Sequence, residues 1–237
     1  MALGSQPRWT VRSTATEVGI DVGLRDYMLR VYNYMASGLA LTGIVAYVAA
    51  ASGFYASIAH TPLIWLVILA PLGLVMLMSF GVQRMQASTL QLVFWGYSAL
   101  MGLSLAVLFI VFTHESIARV FFITAGTFAA MSLYGYTTRR DLTQFGSFLF
   151  MGLIGIIIAS LVNIFLQSAM MSWVISVIGV LVFTGLTAYD TQWIKNNYIA
   201  SDDAATAGKK AVFGALKLYL DFVNLFLFIL RFMGNRR

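Results

Sequence analysis

The stretch PLIWLVILAPLGLVMLMSFGV, Pro62–Val82, runs 21 residues without a charged side chain. As a helix rising about 1.5 Å per residue it spans about 30 Å, the thickness of a bilayer's hydrocarbon core. Its one interior proline, Pro71, is tolerable in lipid, where neighbouring helices can satisfy the freed backbone carbonyl. Six more apolar runs of similar length flank it: Tyr27–Ser52, Thr89–Phe112, Ile117–Tyr136, Phe145–Leu166, Met171–Ile194 and Ala211–Met233. Seven such runs predict an all-α, polytopic membrane protein, with residues 27–237 as one bundle, the last helix at its centre, and residues 1–26 as a polar tail.

Composition agrees. Of 237 residues 60% are hydrophobic and 10% charged, where soluble domains carry about 25%. The mean hydropathy is +0.84. So little charge cannot cover a water-exposed surface, so lipid must face much of the chain. There is no cysteine, which excludes disulfides, thiolate zinc sites and cysteine nucleophiles. The net charge of +6 lies in short loops, where topology and anionic lipid account for it better than nucleic acid does.

The tail, with Arg8, Arg12 and Arg25 against Glu17, Asp21 and Asp26, lacks the apolar core of a signal peptide. An interfacial helix is expected around Val18–Tyr27. Basic residues alternate between loops: Arg84 in the second, Arg139 and Arg140 in the fourth, and Lys195, Lys209 and Lys210 in the sixth. The first and fifth have none, and Arg119 edges the third. The bias predicts a cytosolic N-terminus. Arg236 and Arg237 then fall outside, unless the last segment re-enters or lies deep in the bundle. Gly38/Thr42 and Gly152/Ile156 point to close helix packing, and Trp65, Trp95, Trp173 and Trp193 to interfacial belts.

The informative charges are those inside apolar runs, where each costs at least about 2.5–3.5 kcal/mol near mid-membrane unless paired or wet. Asp190 closes the sixth run, Asp221 lies within the seventh, and Arg84 follows the second. Topology puts all three in one half of the bilayer. Lys217, at i, i+4 from Asp221, offers a simpler neutralising pair on one helix face, and Arg84 could only snorkel to the headgroups. His60 and His114 are lone loop histidines. Neither a metal cage, nor a phosphate loop, nor a serine nucleophile with its base stands out, so neither an enzyme nor a resident cofactor is expected.

The stretch Thr184-Gly185-Leu186-Thr187-Ala188-Tyr189-Asp190-Thr191-Gln192, followed by Ile194-Lys195, resembles the signature of the Bax inhibitor family, which includes bacterial YccA-like proteins. Leu218–Phe226 is similar to that family's last helix. The resemblance implies a calcium-leak channel with two buried aspartates as a pH-sensing pair, matched here by Asp190 and Asp221. It implies that Arg84 bonds the pair and locks the closed state. Gly73 stands where some members carry an acid, and Lys217 adds a charge outside the family pattern, a candidate modulator. Two buried carboxyls would titrate as one unit. They offer at most a weak, transient calcium site, as a conducting path requires. The expected partners are lipid, calcium ions and protons, in a bacterial inner membrane or a eukaryotic endomembrane. Two other classes fit the same residues: a regulator that binds a membrane protease or secretion complex, and a proton-coupled cation antiporter.

Overall fold

A computed structural model describes residues 22–82 and 84–237. Eight helices follow in order: α1 Val22–Ala51, α2 Phe54–Ala59, α3 Leu63–Gly81, α4 Ala87–Val111, α5 His114–Thr137, α6 Thr143–Leu166, α7 Ala169–Asn196 and α8 Ala204–Met233. All but the six-residue α2 are long and apolar enough to cross a membrane. Val22–Tyr27 forms the first turns of α1, so that part of the expected interfacial helix continues the first span; its remainder lies outside the described residues.

The helix ends follow local chemistry. The side chains of Thr113, Ser168 and Asp203 accept the backbone N–H groups of Ser116, Met171 and Thr206, capping α5, α7 and α8. The Pro71 nitrogen cannot donate to the Val67 carbonyl within α3. Ser104 Oγ of α4 donates to that carbonyl instead, at 2.5 Å, as a lipid-embedded backbone requires.

In lipid, apolar surface gives no drive between helices, so close backbone approach decides which ones pack. At Gly102 of α4 a Cβ would come within 2.5 Å of the Thr42 carbonyl of α1. At Gly135 of α5 it would collide with the Ala188 carbonyl of α7. Gly38 admits the Phe94 ring, and Gly152 lies against Val182 of α7. Thr42 Oγ1 stands 2.8 Å from the Ser98 carbonyl and 2.6 Å from the Tyr219 hydroxyl, joining α1, α4 and α8.

α8 packs against α1, α4, α5 and α7. Of its apolar window 67% is buried, against 11% for α6, which packs on α7 and turns Ile154, Ile157, Leu161 and Phe165 outward. α8 begins seven residues before the apolar run, so the sixth loop is short, running from the end of α7 at Asn196 to Ala204, and Lys210 bonds Asp202 at 2.5 Å.

The two ends of the bundle are distinct. Tyr27 of α1 stacks near Tyr198, and Lys195 Nζ donates to the Tyr136 carbonyl at the end of α5. Gly208 of α8 faces Ala87 at the start of α4. At the other end the C-terminal residues pair with the α4–α5 connection. Thr113 N–H donates to the Asn235 carbonyl at 3.1 Å, and Arg237 N–H to the Val111 carbonyl at 2.9 Å. The end of α8 therefore lies at the α4–α5 end of the bundle, opposite its start.

Candidate functional site

The signature segment of α7 divides its work residue by residue. Gly185 seats Leu149 and Phe145 of α6, and Ala188 meets Gly135 of α5. Tyr189 lies over Gly146 and edges the Phe150 ring. Gln192 holds the α5–α6 connection: its Nε2 donates to the Arg140 carbonyl at 2.7 Å and its Oε1 accepts the Leu142 N–H at 2.8 Å. These contacts fix α7 on three sides, and Asp190 projects towards α8.

Asp190 of α7 and Asp221 of α8 are 5% and 3% exposed, and they lie near enough across the α7–α8 interface to act on each other electrostatically. Lys217 Nζ donates to Asp190 Oδ1 at 2.5 Å. The ammonium also sits 4.7 Å from the Trp193 ring centroid, a cation–π contact that covers it in place of water. Asp221 Oδ2 is buried with no hydrogen-bond partner. Among the described residues, Lys217 is the charged group that acts on both carboxyls. Two carboxylates and one ammonium leave one uncompensated negative charge, in a space where an unpaired ion is expensive.

Two expectations change. Lys217 bonds across the interface to Asp190, rather than closing an i, i+4 pair with Asp221 on its own helix. Arg84 does not reach the pair. α3 has ended at Gly81, and Arg84 lies in the following turn, solvent-exposed, with no side-chain ion pair or hydrogen bond among the described residues. A guanidinium beyond the helix end keeps its hydration, whereas Lys217 starts inside the bundle and needs only its flexible stem to meet the acid.

Trp193 covers Lys217, while Trp65, Trp95 and Trp173 lie outward on the lipid-facing surface. His114 Nε2 lies 3.1 Å from Arg237 Nη2 and beside the Tyr47 and Phe109 rings. A hydroxyl chain escaped sequence reasoning: Tyr32 to Ser132 at 2.5 Å and Ser132 to Thr191 at 2.9 Å, crossing from α1 through α5 to the residue after Asp190. Hydroxyls are common in membrane helices, where they bond their own backbone, and their spacing carried no signal.

Fold and site together define a polytopic α-helical membrane protein with a carboxyl pair buried between two spans. The chain belongs to the family described as inhibitor of apoptosis-promoting Bax1, whose pattern it matches over residues 24–237. It is 51% identical over 219 residues to the inner membrane protein YbhL of Escherichia coli strain K12, covering 91% of this chain and 94% of that one. A Rickettsia prowazekii protein is 48% identical over 229 residues, covering 96% and 97%. A Streptococcus pyogenes membrane protein is 35% identical over 218 residues, covering 91% and 95%.

Proposed function

We propose that the protein is a pH-sensitive calcium-leak channel of a bacterial inner membrane, with a cytosolic N-terminus, in which Asp190 and Asp221 form the proton-linked gate. The observation that carries this reading is the burial of two carboxyls from neighbouring helices, with one lysine bonded to the first and a single turn from the second. A single proton on the pair cancels the charge that Lys217 leaves over, and the neutral cluster holds α7 against α8. Losing that proton leaves like charges close together, whose repulsion separates the helices. The freed carboxylates present hard oxygens to a divalent cation, too few for tight binding and therefore compatible with passage. In this account Lys217 does the holding that family resemblance assigned to Arg84, by gripping Asp190 in the closed form. The membrane assignment follows the similarity to the inner membrane protein YbhL, and the orientation follows the basic loops.

The test is calcium entry into vesicles containing the purified chain, from about pH 6 to about pH 8. The reading expects a leak that grows as the pair loses its proton and follows the calcium gradient alone. Counterflow of protons in fixed ratio would make the protein an antiporter, and no flux at any pH would turn attention to partner-binding regulation.

A further inference from the structure

Two of the arginines near the C-terminus occupy a particular place. Arg231 lies in the last turn of α8, and Arg236 in the tail held against the α4–α5 connection. Both line a cavity of about 710 Å³ at the corner where α6 turns into α7, together with Ser160, Asn163, Ser172 and Ser176. We infer that this cavity is a binding site for a phosphate group, gripped by the Arg231 and Arg236 guanidiniums at the end of the bundle opposite the basic loops.

The corner is built from its own hydrogen bonds. Asn163 Nδ2 donates to Ser172 Oγ at 2.7 Å, and Asn163 Oδ1 accepts the Ser168 N–H at 3.0 Å. Ser176 Oγ donates to the Ser172 carbonyl at 2.8 Å. Ser172 Oγ is thus engaged as an acceptor and keeps its own proton to donate, and Ser160 has no bonded partner among the described residues. The guanidiniums of Arg231 and Arg236 touch only rings, Phe228 at 5.9 Å and Phe112 at 6.0 Å, with neither an ion pair nor a side-chain hydrogen bond among the described residues. Among the described residues, no Asp or Glu lines the cavity. What remains is two guanidiniums and the Ser160 and Ser172 hydroxyls with protons to donate, and among the described lining residues no carboxylate to compete for them.

Such a set selects an anion. Each guanidinium fork can meet two phosphate oxygens in parallel, and charge-assisted bonds of this kind are about twice as strong as neutral ones. The helix dipole explains an arginine in the last turn of α8, but neither Arg236, beyond the helix end at Met233, nor the lack of acids among the described lining residues. Trp173 and Ile164 form a lipid-facing wall, 52% and 65% exposed. The phosphate therefore comes from a phospholipid headgroup at the interface or from a soluble ion.

The test is native mass spectrometry of the full chain in non-ionic detergent. It would use short-chain phosphatidylglycerol and inorganic phosphate as probes, with Arg231→Gln/Arg236→Gln, Arg236→Gln alone and Arg119→Gln as variants. The expected result is retention of a phosphate-bearing ligand by the wild-type chain, weakened about tenfold or more in the double variant. Arg119→Gln, on the same end but outside the cavity, should bind as the wild type. Displacement of the lipid by inorganic phosphate would identify a soluble ion, and retention against it the headgroup. If the double variant does not fold, Arg236→Gln, which alters only the tail beyond the helix, carries the test through its own loss of affinity. Unchanged binding in a folded Arg236→Gln or double variant, equal loss in Arg119→Gln, or no binding by the wild type would overturn the assignment.

Discussion

Lys217 is the side chain on which the buried pair depends. Its ammonium is the counter-charge of an acid that is 5% exposed, and breaking a buried pair from one side costs about 3–5 kcal/mol. Lys217→Gln should lower the thermal midpoint accordingly, while Lys217→Arg keeps the charge and most of the stability. Asp190→Asn added to Lys217→Gln should recover part of the loss, because no lone ion is then buried, and a double-mutant cycle of melts measures that coupling. Arg84→Ala, changing an exposed and unpaired side chain, should move stability by less than about 0.5 kcal/mol and leave flux unaltered. All four charges were legible in the sequence as ions inside or beside apolar runs. Their pairing was not, because a lysine at i, i+4 can face its own helix or the next with equal ease. Only the packing of α7 on α8 decides.

Among helices, the glycines separate contact from lipid. Gly135→Ala would drive a methyl into the Ala188 carbonyl, so α5 and α7 must part, at about 1–3 kcal/mol for overpacking. At Gly155 a Cβ meets nothing within 4 Å, and alanine there should stabilise α6 by about 0.5–1 kcal/mol through helix propensity. Unfolding in detergent compares the two directly. Asp203 at the α8 start adds a pH term. Hydrogen bonds from Thr206 hold its carboxyl below the ordinary value, so its contribution is present above about pH 4 and is lost as pH falls through the folded value. Asp203→Ala should therefore flatten the acid limb of stability and leave neutral pH sensitivity of flux alone. Seven spans could be counted from hydropathy because lipid demands long apolar runs. The first two turns of α8 could not: Ala204–Lys210 is polar, and the cap at Asp203, together with the Lys210–Asp202 bond, makes it helical.

For the molecule entire, the pairing of the C-terminus with the α4–α5 connection fixes which ends lie together. Reporters at Ser168 and after Arg237 should share one side of the membrane and a reporter after residue 142 the other; the charge bias of the loops predicts that the last is cytosolic. The proposed gate would act where α7 packs on α8, the interface that holds Asp190 and Asp221. Calcium flux in vesicles containing well-folded Asp190→Asn, followed from about pH 6 to about pH 8, decides whether the pair senses protons. Shared protonation predicts that this variant, Asp221→Asn and the double variant all lose the pH dependence alike, with little added by the second change. A pH profile in Asp190→Asn that matches the wild-type curve would contradict it.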